Sequence, residues 1–294
     1  MHDVIKQILK KYICRSQQDY LNSLKEIFQE IALLGLWRAK FFEKAAFYGG
    51  SALRILYGLD RFSEDLDFSL LQKNKHFSLD GYNKAIAKEL ASFGFEATVQ
   101  TKIKPQASSI ESAFIKAESK KQLLMIDTPP DMLKGVHHMQ TIKIKMEVDT
   151  DPPGSFNTET KFLLSPIPFS VKSFTEPSLF AGKIHALLCR PWMVRVKGRD
   201  WYDFIWYLSR QTPVNLTHLK ARLVQSHAWE EKKTFDRSAL VELLREKIQS
   251  TDFEQAKKDV FPFIKNSASM TLWTKAFFLT ILEKIQTMSG ELLS

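Results

Sequence analysis

The chain has 294 residues, 44% of them hydrophobic and 26% charged, with a formal charge of +9. That composition excludes wholesale disorder, and the positive balance suits an anionic partner (RNA, DNA or a nucleotide) or a merely soluble basic protein. Two cysteines, Cys14 and Cys189, exclude a disulfide framework and fit a reducing cytoplasm, and no window nears the ~18 apolar residues that span a bilayer, so no membrane contact is expected.

The length allows one large domain or two medium ones. The N-terminus, MHDVIKQILKKYICR, lacks the apolar core and cleavage site of a secretory signal. Residues 3–44 read as helices, with Tyr20, Leu21, Leu24, Phe28, Ile31 and Leu34 on one face. Ala45–Tyr48 reads as a short buried strand stopped by Gly49-Gly50, and Gly50 or Ser51 caps a helix over Ala52–Tyr57. Leu66–Leu71 returns as a strand. Asp80 caps a helix that Gly94 stops, and Phe95–Ile103 and Ile110–Ala117 follow as strands. Thr141–Thr150 (TIKIKMEVDT) alternates cleanly, with Ile142, Ile144, Met146 and Val148 on one face and Lys143, Lys145, Glu147 and Asp149 on the other. Phe162–Phe174 reads as one more extended piece.

From Glu176 the pattern turns helical. Pro177 suits a first turn, Ser178–Cys189 follows, and Asp200 caps Trp201–Ser209. Helices continue over 216–225, 237–249, 252–265 and 270–288. The expected organisation is a sheet-bearing domain over 1–175 and an all-helical domain over 176–294.

Six sets of residues carry candidate chemistry. Asp65 and Asp67, two apart on a strand, point to one face and suit a divalent metal bridging to phosphates; an isolated D-x-D is more simply a solvated strand end. Gly49, Gly50 and Ser51 follow a strand and open a helix, which lets backbone N–H groups approach a phosphate; alone, they are an ordinary turn. Glu147 or Asp149, on one strand face, offers a third carboxylate that completes a metal cage or accepts a proton, and spacing does not choose between them. Lys183, inside an apolar helix, either snorkels outward or serves as a point charge for a triphosphate. Arg190, Arg195, Lys197 and Arg199, with Trp192 and Trp201, form a basic-aromatic cluster that suits RNA phosphates and bases, or a solvated turn with core tryptophans. Asp200 and Asp203 are a cap and a partner for those arginines, or position Lys183. The histidines, His137-His138 and His185, lack metal spacing, and Cys189 reads as helix packing.

In this order the motifs resemble the AbiEii/AbiGii nucleotidyltransferase toxins, within the DNA polymerase β-like nucleotidyltransferase superfamily. The resemblance rests on Gly49-Gly50-Ser51-Ala52-Leu53-Arg54 with Arg61-Phe62-Ser63-Glu64-Asp65-Leu66-Asp67-Phe68, on Glu147-Val148-Asp149-Thr150, and on Lys183-Ile184-His185-Ala186-Leu187 leading into Lys197-Gly198-Arg199-Asp200-Trp201-Tyr202-Asp203. It implies an α+β fold: a nucleotidyltransferase-type mixed sheet flanked by helices, then a helical domain that completes an active-site cleft.

The resemblance also implies a division of labour. Gly49, Gly50, Ser51, Arg54, Ser63 and Lys183 would serve the nucleotide, with Ser63 placed where modification would block binding. Asp65, Asp67 and Glu147 or Asp149 would hold Mg²⁺, and Asp200, or less surely Asp203, would be a further essential acid. The implied reaction moves an NMP from an NTP to an acceptor hydroxyl, in RNA and best at a tRNA 3′ end, as the toxin of a toxin–antitoxin or abortive-infection pair with an antitoxin encoded nearby. The alternatives are transfer to a protein or small molecule, or a non-catalytic NTP- or RNA-binding module.

Overall fold

A computed structural model describes residues 2–102, 109–125, 128–133, 140–190, 196–264 and 268–289. The chain divides into two compact units. The first comprises Met1–Tyr57, Ser63–Pro152 and Thr160–Ser173, and the second Gly58–Phe62, Pro153–Glu159 and Phe174–Ser294.

Helices α1 (His2–Leu9) and α2 (Gln17–Arg38) open the first unit. Ser16 and Asp19 close a capping box that satisfies free N–H groups at the start of α2. Of the expected face, Leu21, Leu24, Phe28, Ile31 and Leu34 are buried and Tyr20 is half-buried. Strand β1 (Ala45–Tyr48), helix α3 (Gly49–Tyr57) and strand β2 (Leu66–Leu70) follow. Next come α4 (Asp80–Ser92), β3 (Thr98–Thr101), β4 (Ile110–Glu118), α5 (Ser119–Met125), α6 (Pro130–Leu133) and β5 (Thr141–Asp149). The piece expected as one extended run over 162–174 is two strands, β6 (Thr158–Leu163) and β7 (Phe169–Phe174). Pro166 and Pro168 lie between them, and proline cannot donate to a strand ladder.

Seven strands among the described residues form one mixed sheet in the order β3-β4-β5-β2-β1-β7-β6. β2 runs antiparallel to β1 and parallel to β5, which places β2 at the centre. Ile142, Ile144, Met146 and Val148 of β5 are buried, while Lys143 lies over the Phe114 ring on the other face. Phe68 of β2 packs with Phe47 at 5.2 Å and with Phe41 at 5.0 Å, an aromatic centre beneath the strand. β6 closes one edge, with Phe162 74% exposed.

The second unit is built on α7 (Glu176–Cys189), α8 (Gly198–Ser209), β8 (Val214–Asn215), α9 (Leu216–Gln225), α10 (Arg237–Ser250), α11 (Phe253–Val260), α12 (Lys275–Leu282) and β9 (Thr287–Met288). It is not all-helical: β8 and β9 pair in parallel, and the helix expected over 270–288 is shortened to α12 between a 3₁₀ turn and β9. Asp200 is not the cap of α8 but its third residue, and Asp80 is the first residue of α4 rather than its cap. No helix among the described residues is long and apolar enough to cross a membrane.

Helices α8 and α11 meet at Gly198, where a Cβ would stand 1.8 Å from the Ala256 carbonyl oxygen. Backbone cannot yield as a side chain can, so Gly198→Ala should destabilise the protein by about 3 kcal/mol. Denaturant unfolding checks this, and an unchanged midpoint would contradict the close approach.

Candidate active site

In the first unit, Gly49 leaves β1 with φ +82°, and a Cβ there would lie 2.6 Å from Asp67 Oδ2. Both facts demand glycine: the backbone is left-handed, and the Asp67 carboxylate occupies the space a side chain needs. Tyr48 and Asp67 are direct partners across β1 and β2. The turn and the acid are thus one local structure. Helix α3 starts at Gly49, earlier than expected, so Ser51 is its third residue rather than its cap. Ser51 is buried, and its hydroxyl donates to the Asp65 carbonyl oxygen. That bond ties the helix start to the acid-bearing segment.

Asp65 is exposed, just before β2, and Asp67 is half-buried within it. On the neighbouring parallel strand, Glu147 stands opposite Asp67, and Asp149 opposite Ser69. Paired residues of adjacent strands share a face, so Asp67 and Glu147 are side by side. Lys145 Nζ lies 2.7 Å from Glu147 Oε1, and Ser112 Oγ donates to the same oxygen at 3.3 Å. Asp149 Oδ1 accepts from the Asp151 N–H at 3.0 Å, an Asx turn where the strand ends.

The residues around the pair are held in place. Gln29 Nε2 donates to the Ser63 carbonyl at 3.1 Å, and Lys25 pairs with Glu64 at 3.0 Å. Arg54 Nε pairs with Glu26 at 2.8 Å, bracing α3 on α2. These oxygen donors suit a hard cation such as Mg²⁺. Among the described residues no three His, Cys, Asp or Glu side chains are already grouped within reach of one ion. The chemistry of the donors fits a divalent metal, with Asp67 and Glu147 as its adjacent pair.

The second unit holds a buried charge cluster. Lys183 on α7 lies 2.9 Å from Asp200 Oδ1 and 2.8 Å from Asp203 Oδ2. The two aspartates are three apart on α8 and so share a helix face. Lys183 therefore does not snorkel to solvent. Arg61 forks onto Asp203, with Nε–Oδ1 and Nη2–Oδ2 both 2.6 Å, and Arg190 Nη1 lies 2.7 Å from Asp200 Oδ2. Burial would raise the Asp203 carboxyl, but Arg61 and Lys183 outweigh it and hold the group below the usual carboxylate range. Burial likewise opposes the Arg61 charge, and Asp203 more than restores it. Arg61 is the residue that sequence reasoning passed over. It lies within the recognised motif, and its one local signal is a charged side chain two residues after Leu59 and next to Phe62, both buried.

Two described members of the basic-aromatic cluster make packing contacts. Trp201 is buried against Phe253 and Phe278, and the Arg199 guanidinium lies 4.1 Å from the Phe263 ring centroid. Trp192, Arg195 and the His137-His138 pair lie outside the described residues. His185 Nε2 meets Ser226 Oγ at 3.0 Å, and burial with Arg222 and Arg190 pushes its pKa down to about 4. Burial pushes the Cys189 thiol up, which does not suit a nucleophile.

The family model for the nucleotidyl transferase AbiEii toxin of type IV toxin–antitoxin systems matches residues 31–278. By structure the chain is similar to MenT4, a nucleotidyltransferase toxin from Mycobacterium tuberculosis H37Rv, with a TM-score of 0.59 and 13% identity over 97% of this chain and 89% of that one. At that identity the likeness is one of fold: a mixed sheet flanked by helices. JHP933 from Helicobacter pylori gives a TM-score of 0.41 at 16% identity, covering 87% of this chain and 91% of its own. A second Helicobacter pylori chain gives 0.45 at 15%, covering 88% and 92%. No curated protein matches.

Two outcomes follow from this geometry. Gly49→Ala should cost roughly 1–2 kcal/mol from the left-handed backbone alone and displace the Asp67 carboxylate, so thermal melting and nucleotide binding should both weaken; unchanged nucleotide affinity would uncouple the turn from the acid. Asp203, held below its ordinary value, stabilises the fold above the unfolded carboxylate pKa of about 4, and this is lost as pH falls through the native value. Wild type should therefore exceed Asp203→Asn in urea resistance at pH 7, with the gap closing only in stronger acid; a gap that closes between pH 7 and pH 5 would contradict the assignment.

Proposed function

Because the chain belongs to the AbiEii family of nucleotidyl transferase toxins of type IV toxin–antitoxin systems, we propose that it is a Mg²⁺-dependent enzyme that moves an NMP from an NTP to an RNA hydroxyl, with a tRNA 3′ end as the acceptor. Membership makes the chain a nucleotidyltransferase with an NTP substrate and a cognate antitoxin. The observation that carries the finer reading is the Asp67 carboxylate, set against the Gly49 turn and level with Glu147. A turn that admits a phosphate and an acid pair that admits a metal meet there in one structure.

The backbone N–H groups at the start of α3, from Gly49, Gly50 and Ser51, hold the triphosphate. Asp67 and Glu147 would hold the metal together with triphosphate oxygens, and Asp65 would join them on binding. Glu147 is favoured over Asp149 because it is level with Asp67 on the neighbouring strand. The ion, when bound, supplies charge neutralisation for the triphosphate and the leaving pyrophosphate. The acceptor hydroxyl oxygen forms a bond to the α-phosphorus as the bond to the bridging oxygen breaks. Pyrophosphate carries away that electron pair, and the hydroxyl proton passes to a carboxylate of this face.

Lys183, fixed by Asp200 and Asp203, is a point charge suited to a phosphate. The Glu26 ion pair favours a bracing role for Arg54 over a nucleotide contact. Ser63, two residues before Asp65, is where an added phosphate would repel the triphosphate. The +9 charge of the chain suits a polyanionic acceptor.

Labelled NTPs incubated with total RNA and total protein, followed by sequencing of tRNA 3′ ends, test the reading. Label on RNA that disappears in Asp67→Asn is expected, and label confined to protein would overturn the RNA acceptor. Glu147→Gln should lower transfer about a hundredfold or more while Asp149→Asn keeps most of it; the reverse order would exchange their roles.

A further inference from the structure

Arg61 belongs to the second unit through the short segment Gly58–Phe62, apart in sequence from the helices it meets. Arg61 is 2% exposed, and three of its five N–H donors are directed within the unit: two to Asp203 and one, from Nη1, to the Phe62 carbonyl at 2.9 Å. Asp203 is wholly buried and also accepts Lys183. Asp200 completes the set between Lys183 and Arg190. The hydrogen-bonded cluster thus contains three cations, Arg61, Lys183 and Arg190, against two carboxylates. Asp60, next to Arg61, is exposed and accepts from the Tyr202 hydroxyl instead.

We propose that Arg61 is a positioning residue for nucleotidyl transfer, its fork on Asp203 holding Lys183 in place while leaving the cluster one positive charge in surplus to meet a phosphate. Without Arg61, Asp203 and Asp200 would together cancel Lys183 and Arg190, and an anionic ligand would gain nothing by approaching. With it, the Asp203 charge is answered by a planar fork, and the Lys183 ammonium keeps a third proton beyond those given to Asp200 and Asp203. Arg61 does not touch the nucleotide in this scheme; it acts through Asp203. The inference rests on the assignment of Lys183 to the nucleotide phosphates.

The test measures the affinity of a fluorescent NTP analogue with Mg²⁺ and no acceptor, below the melting temperature of each variant. Lys183→Gln and Arg61→Gln (R61Q) should both weaken binding, R61Q by about tenfold, as expected for a buried charge left without its partner. In the double variant R61Q/D203N the surplus returns, and at least about threefold of the loss should be regained. A purely stabilising role for Arg61 predicts instead a lowered melting temperature with unchanged affinity in the folded R61Q protein. R61Q binding as wild type does, or a double variant no tighter than R61Q, would overturn the proposal. If R61Q does not fold, Arg61→Lys and R61Q/D203N carry the test, since neither leaves Asp203 unanswered: both should bind within about fivefold of wild type, and a loss as large as that of Lys183→Gln overturns the proposal. Wild-type affinity in Lys183→Gln would instead remove the phosphate assignment of Lys183 itself, whatever R61Q does.

Discussion

Two carboxylates set level on neighbouring strands repel each other, and the centre of the sheet is arranged so that Asp67 and Glu147 stay there nonetheless. The parallel register of β2 and β5 leaves no choice: the apolar sets Leu66, Phe68, Leu70 and Met146, Val148 must face the core, so the acids must face the other way. Shifting β2 by one residue would turn Asp67 inward and Phe68 outward, and shifting β5 would do the same to Glu147 and its neighbours Met146 and Val148. The repulsion is thus held by hydrophobic burial elsewhere on the same strands. Lys145 and Ser112 relieve part of it at Glu147, and Gly49 leaves the room that Asp67 occupies.

The second unit treats charge in the opposite way. Its acids are out of water, so each must be answered within the fold. Asp203 is answered twice, by a fork and by an ammonium, and Asp200 twice, by an ammonium and by Arg190. Removing water strengthens these attractions but also makes any imbalance costly. Such a cluster holds its members in fixed positions, which a solvated set of surface charges does not. The first unit thus sets two acids side by side on its sheet, and the second holds a cation between two acids.

Much of this was legible in the residues. β1 is found with its expected bounds, β5 one residue short of them, and the clean alternation of β5 already assigned its two faces. Spacing could not choose between Glu147 and Asp149, since both share a face; the choice depends on register against β2, a long-range property of the sheet. The motif Gly49-Gly50-Ser51 was read as a phosphate turn, yet why Gly49 must be glycine depends on Asp67, eighteen residues later. Arg61 shows the limit most clearly. Its partner lies on α8, and no local periodicity links a loop arginine to an aspartate 142 positions away. The parallel pair β8–β9 is hidden from the sequence for a similar reason: two residues per strand carry no periodic signal.

Strand β6 has a consequence of a different kind. It ends the sheet, so one side of its backbone has no strand partner among the described residues, and Phe162 and the adjoining Leu164 are 74% and 77% exposed. An open edge bearing apolar side chains is a template for another extended chain. The strand is only six residues long, and Glu159 and Lys161 interrupt its apolar character, both features that discourage edge-to-edge growth. At this edge Glu159 and Lys161 oppose the pairing of copies, and the net positive charge of the chain adds repulsion in the same direction.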